Sequence, residues 1–97
     1  MRVEENIKLA KLFDAYGTLL SKGQQEVLSS YLYDDFTVSE IAENLKVSRQ
    51  AIMDSVTKAE KKLYSYEEKL GFLKKIEVLE SENDKLKKKI VKLTLNN

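Results

Sequence analysis

The sequence has no cysteine, no histidine and no proline, and its only glycines are Gly17, Gly23 and Gly71. Without cysteine or histidine there is no disulfide framework and no zinc finger. Cys–His and Ser–His–Asp nucleophilic chemistry are excluded for the same reason. No glycine-rich loop has the spacing that cradles a phosphate. No apolar run approaches the ~20 residues that would span a membrane. The start of the chain, with Glu4 and Glu5 close to Arg2, does not read as a secretory signal. These absences point to a cytoplasmic protein without a cofactor or a metal, and away from an enzyme. Scarcity of proline and glycine also has a structural consequence. These are the two main helix breakers, so long uninterrupted helices are expected.

What is present fits an all-α chain. The 97 residues suit one compact domain with an extension, and 42% of them are hydrophobic, enough for a modest core. Strand-like alternation is not sustained anywhere. The formal net charge is only +1, so bulk charge gives no argument for nucleic-acid binding. Ten basic and twelve acidic side chains precede residue 72, and seven and four follow.

Apolar periodicity and capping signals divide the chain into helices. Residues from about Glu4 to Tyr16 form the first, with Val3, Ile7, Ala10 and Phe13 on one face and Leu9, Leu12 and Tyr16 widening it. Gly17 is a natural stop. Ser21-Lys22-Gly23-Gln24 has the Ser-x-x-Gln form of a capping box and opens a second helix, whose buried face is Val27, Leu28, Tyr31 and Leu32. Asp34-Asp35 breaks that pattern. Thr37-Val38-Ser39-Glu40 is a Thr-x-x-Glu box, with Phe36 and Ile41 at hydrophobic-staple spacing, and it opens a short helix to about Asn44 or Leu45. Ser48 is a good N-cap for a fourth helix with the stripe Ile52, Val56, Ala59 and Leu63. Nothing clearly ends this helix before Gly71.

The segment Val38 to Val56, VSEIAENLKVSRQAIMDSV, reads as a helix-turn-helix. Ala42 is the small residue where the two helices cross. Ile41, Leu45, Val47 and Ile52 are the apolar positions expected to lock the pair. The turn is Lys46-Val47-Ser48, with Lys46 expected in the left-handed region where glycine is usual. In such a unit the N-terminal part of the second helix meets base edges in the major groove. Those residues would be Ser48, Arg49, Gln50 and Met53, with Thr57 one turn on. Arginine suits guanine and glutamine suits adenine, because each can make paired hydrogen bonds. Lys58, Lys61 and Lys62 are placed to meet phosphates, whereas Asp54 among them would repel phosphate. Equally, Arg49 and Gln50 can be read as solvated residues of a first helical turn, and the lysines as an ordinary polar face.

The stretch LSKGQQEVLSSYLYDDFTVSEIAENLKVSRQAI resembles region four of bacterial sigma factors. Over about residues 4–75 the chain is more specifically similar to the YlxM family of small helix-turn-helix proteins. Leu20 to Leu32, Phe36 to Ala42, Val47-Ser48-Arg49-Gln50-Ala51-Ile52 followed by Asp54, and Tyr66-Glu67-Glu68-Lys69-Leu70 carry the likeness. Lys46 departs from the family's usual glycine. Family members are usually encoded beside the signal recognition particle protein gene. The resemblance therefore implies a cytosolic DNA-binding or regulatory role tied to protein targeting. An RNA- or protein-binding adaptor of the targeting machinery that reuses the fold is the alternative.

From Phe72 to about Leu93 the pattern changes to heptads. Ile76, Leu79, Asn83, Leu86, Ile90 and Leu93 are spaced as an a/d seam, with Leu at every d and Asn83 at one a. Lys75 with Glu80, and Glu82 with Lys87, occupy flanking g and e positions with opposite sign. The organisation expected is a helix-turn-helix domain over residues 1–70 and a C-terminal helix over 71–97. That helix either zips into a parallel homodimeric coiled coil or folds back on its own domain.

Overall fold

The computed structural model describes residues 3–96. Among them the only regular elements are helices, with no strand: α1 (Val3–Tyr16), a 3-10 turn (Gly17–Leu19), α2 (Lys22–Leu32), α3 (Val38–Leu45), α4 (Arg49–Leu70) and α5 (Phe72–Leu95). Helix α4 is the hub, since α1, α2 and α3 all pack on it. Its stripe Ile52, Val56, Ala59 and Leu63 is buried as its spacing predicts, and meets Leu9, Leu12, Tyr16, Leu20, Val27, Leu28, Ile41 and Ala42 in one core. Tyr31 and Leu32, expected in the buried face of α2, lie half-buried at the edge of that core.

Local capping chemistry sets the helix starts. Ser21 Oγ accepts from the Gln24 amide at 3.2 Å, and Gln24 Oε1 accepts from the Ser21 amide at 3.4 Å. Thr37 and Glu40 make the same reciprocal pair, each bond 3.2 Å long. Each box satisfies two amides that the first helical turn would leave without a partner. Phe36 before the second box stays partly exposed.

The buried face of α1 is rotated from the expected one. Leu9, Leu12 and Tyr16 are its buried residues, Ala10 and Phe13 lie at the border, and Ile7 is 53% exposed. The side chain of Val3, also expected on that face, lies outside the described residues. Both stripes have helical spacing, so periodicity alone did not choose. Packing against α4 did. Gly17 does not simply stop α1 but begins the 3-10 turn. A Cβ there would lie 3.1 Å from the Phe13 ring, so any larger residue would make that ring shift by a few tenths of an ångström. Phe13 and Tyr33 rings stand 5.9 Å apart, and the Tyr33 hydroxyl donates to the Asp14 carboxylate, tying α1 to the end of α2. Burial first, and the Asp14 carboxylate second, push the Tyr33 hydroxyl up to about 12.

Gly71 does end α4, in the left-handed conformation (φ 62, ψ 23), and its amide donates to the Glu67 carbonyl at 2.8 Å. Gly71 has no side chain to cap α5. The free amides of α5 instead point at two side chains from elsewhere. The Tyr16 hydroxyl accepts from the Phe72 amide at 3.0 Å and donates to Glu67 Oε1 at 2.6 Å. Glu67 Oε1 accepts from the Leu73 amide at 2.9 Å and Oε2 from the Lys74 amide at 3.2 Å. A carboxylate at a helix N-terminus is also favoured by the helix dipole. The Tyr16 hydroxyl, more than any other partner, holds the Glu67 carboxyl below the usual carboxylate range, against the opposing effect of burial. Burial and that same carboxylate raise the Tyr16 hydroxyl.

Beyond this latch α5 leaves the core. Leu73 is half-buried, and every described residue from Lys74 onward is exposed. A helix projecting so far accounts for the elongated outline of 64 × 27 × 22 Å.

Candidate nucleic-acid interface

The predicted turn between α3 and α4 forms, and Lys46 takes the left-handed backbone expected of it, at φ 58 and ψ 44. The Lys46 amide donates to the Glu43 carbonyl at 3.3 Å, and the Val47 amide to the Ala42 carbonyl at 3.0 Å. These two bonds make a Schellman closure, which satisfies the last carbonyls of α3. Forcing a side chain into this region costs about 1 kcal/mol. The two bonds, worth roughly 0.5–1.5 kcal/mol each, offset it. Ser48 then returns to extended backbone, and its Oγ accepts from the Ala51 amide at 3.0 Å, starting α4.

Of the four apolar positions expected to lock the two helices, only Ile41 and Ile52 are buried. Leu45 is 37% and Val47 47% exposed, which corrects that expectation. The physical reason is the left-handed residue between them. It swings the chain around so that α4 enters the core from Ile52 onward, and the flanking residues of the turn stay at the surface. Ala42 is buried at the crossing, as its size suggests.

Ser48, Arg49, Gln50, Met53, Thr57, Lys58 and Lys61 are all exposed. Helical geometry puts those within α4 on one side of it, while Ser48 is the extended N-cap before it. At roughly 100° per residue, Gln50, Asp54, Thr57 and Lys61 form a ridge opposite the buried stripe, with Arg49 and Met53 on one flank and Lys58 on the other. Lys62 lies off this ridge, beyond Lys58, and its ammonium donates to Gln24 Oε1 of α2 at 3.3 Å. Gln50 Nε2 donates to Asp54 Oδ1 at 2.9 Å along the helix. Such an i,i+4 bond on an exposed face is worth about 0.2–0.5 kcal/mol. A paired contact to a base is worth about 1–3 kcal/mol, so the amide can be released to a better partner. Ser48 uses a lone pair for its cap and keeps its hydroxyl proton for donation.

Comparison with known proteins adds the family. The profile of the family described as "Putative helix-turn-helix protein, YlxM / p13 like" matches residues 3–96. This chain belongs to that family. The YlxM / p13-like assignment extends through α5, further than the resemblance over residues 4–75 reached. A UPF0122 protein of Listeria innocua is 42% identical over 89 residues, covering 92% of this chain and 81% of the relative. UPF0122 protein YlxM of Bacillus subtilis is 42% identical over 87 residues, covering 90% and 79%. A UPF0122 protein of Latilactobacillus sakei is 41% identical over 90 residues, covering 93% and 80%. The YlxM / p13-like family is described by its helix-turn-helix and not by a catalytic activity. Among the described residues no helix is long and apolar enough to cross a membrane. No group of three or more acidic, His or Cys side chains there could hold a metal ion.

Sequence reasoning missed the Tyr16–Glu67 latch. Its members lie 51 residues apart, so no local spacing announces it. The one available signal was Gly71, a helix boundary without a capping side chain.

Proposed function

We propose that this protein is a cytoplasmic DNA-binding regulatory protein, homodimeric, acting in the signal recognition particle pathway of protein targeting. In this reading residues 1–70 are the nucleic-acid-binding domain and residues 71–97 the dimerising helix. The observation that carries it is the exposed start of α4. Arg49, Gln50, Met53 and Thr57 project from the second helix of a helix-turn-helix whose turn is closed by its own hydrogen bonds. Arg49 and Gln50 read base edges in the major groove, while Lys58 and Lys61, further along α4, meet phosphates. The resemblance to sigma region four supports DNA as the ligand. The targeting link rests on the genetic neighbourhood of the family.

A specific observation favours a second reading, an RNA- or protein-binding adaptor of the targeting machinery. Asp54 sits in the middle of the ridge and holds Gln50, and the net charge of the chain is only +1. Both features weaken attraction to a phosphate backbone.

One titration separates the two. Binding to duplex DNA and to signal recognition particle RNA is measured at two salt concentrations. The DNA reading expects preference for duplex, a steep salt slope, and a loss of about 1–3 kcal/mol with relaxed specificity in Arg49→Ala. Lys61→Ala should weaken all sequences alike. Preference for the RNA, or affinity and specificity unchanged in Arg49→Ala, rejects direct base reading.

A further inference from the structure

Helix α5 exposes Leu79, Leu86, Ile90 and Leu93 by more than half of each residue's surface, and no residue of α5 is buried. These residues form one stripe, the a/d seam that also includes Ile76 and Asn83. The side of α5 turned to its own chain is a different one. Leu73, Ile76, Glu77 and Glu80 line the groove of about 270 Å³ shared with Lys11 and Asp14 of α1. At roughly 100° per residue that side centres near Leu73 and Glu80, and the seam lies about a quarter-turn away. Contact with α1 therefore reaches the seam only at Ile76 and leaves it uncovered from Leu79 to Leu93.

We infer that a second copy of this chain covers the seam, with the two α5 helices parallel and in register at Asn83. This deepens the homodimeric reading and rests on it, but does not depend on what α4 binds. The composition of the seam selects the direction. Ile76 and Ile90 at a, with Leu79, Leu86 and Leu93 at d, is the arrangement that favours two parallel strands. Asn83 then meets Asn83 of the second copy, so each amide finds a polar partner. Flanking charges complement as well: Glu82 faces Lys87 of the second copy, and Lys75 faces Glu80. Of these, Glu82 with Lys87 is the freer pair. Glu80 also borders the α1 groove, and the Lys75 ammonium lies 5.8 Å over the Phe72 ring.

Charge alone does not fix direction. In an antiparallel pair with full overlap, Glu82 would face Lys89 and Glu80 would face Lys87, and both contacts attract. That arrangement sets each Asn83 against Leu86, leaving an amide beside an aliphatic side chain. The core residues, not the charges, make the parallel form the better one. The seam from Ile76 to Leu93 spans only about 27 Å at 1.5 Å per residue. So short a zipper associates weakly, and dimer is expected to grow with concentration.

The native chain has no cysteine, so introduced thiols can report the pairing. Sedimentation of the intact chain across a concentration series comes first, followed by oxidation of single variants. Leu93→Cys should crosslink efficiently, because parallel strands put the two thiols side by side. Lys88→Cys, outward-facing in the heptad, should crosslink at least ten-fold less. In the antiparallel form residue 93 of one copy would lie opposite residue 76 of the other, about 26 Å from its own equivalent. A mixture of Ile76→Cys and Leu93→Cys chains would then yield the mixed dimer. That product in place of the Leu93 homodimer overturns the parallel assignment but keeps the homodimer. A dimer that crosslinks at neither site, or equally at Leu93 and Lys88, overturns the zipper and leaves dimerisation to another surface. A chain that stays monomeric at the highest concentration overturns the homodimeric reading too.

Discussion

Lys46, between α3 and α4, and Gly71, between α4 and α5, have nearly the same backbone, φ 58 and ψ 44 against φ 62 and ψ 23. Their surroundings are opposite. At Lys46 everything needed is local. The Schellman bonds run back three and five residues, and the next helix is capped by Ser48, two positions on. At Gly71 the cap comes from afar, through Tyr16 of α1 and Glu67 of α4. The first junction is thus written in consecutive residues. The second exists only when α1 is docked on α4, so the direction of α5 reports on the assembly of the core.

If that contrast is right, removing the distant cap should do more damage than removing the local one. Glu67→Ala is expected to give the largest loss. It strips two amides and a buried hydroxyl of their partner at once. A thermal melt should fall further than for any other single cap. Hydrogen exchange should quicken at the amides of residues 72–74 while those of α3 keep their protection. Equal exchange across both regions would show that the junctions are not independent.

Acid should reproduce this loss without a mutation. The folded-state pKa of Glu67 is lowered, so its contribution is fully present above the unfolded value of about 4.3. It is lost as pH falls through the lowered folded value. Other carboxylates titrate in the same window, so the quantity to read is the difference between the native chain and Glu67→Gln. That difference should shrink as pH drops below about 4.3. A difference constant down to the acid transition would remove the latch as a charged cap.

Ser48→Ala tests the local cap. It should cost about 1 kcal/mol in denaturant melts, the usual value for an N-cap. Because the Schellman bonds remain, the turn itself should survive, as judged by unchanged protection of the Val47 amide.

The smallest effects come from exchanging residue types at the two left-handed positions. Gly71→Ala meets open space, so its cost is the backbone alone, about 1 kcal/mol. Lys46→Gly should go the other way and stabilise by less than about 1 kcal/mol, since glycine also gains freedom in the unfolded chain. Loss of stability in Lys46→Gly would mean that the lysine side chain contributes contacts the backbone account omits.

Much of this molecule was legible from local pattern. Both capping boxes, the Ser48 cap, the left-handed Lys46 and the buried stripe of α4 follow from residue types within a few positions of one another. The exposure of the candidate site residues was legible to the same extent, because residues opposite a buried helical stripe are exposed by geometry. Other features were not. Ile7 and Leu9 are equally apolar, and only docking decided that Leu9 goes inside. Leu45 and Val47 looked like core and are surface, because a single backbone reversal turned them away.

By itself, then, the sequence determined the helices, the starts of α2, α3 and α4, and the turn of the helix-turn-helix. Those depend on hydrogen bonds and periodicities that reach no further than one or two helical turns. The tertiary structure alone decided which face of α1 is buried, what caps α5, and that the seam of α5 beyond Ile76 faces away from its own chain. Each of these compares contacts between residues tens of positions apart, and no local pattern contains that comparison. Tyr16 shows it most directly. Read along the chain it is one more apolar ring at the end of α1. In the fold it is 1% exposed, and its hydroxyl joins a carboxylate and an amide more than 50 residues away.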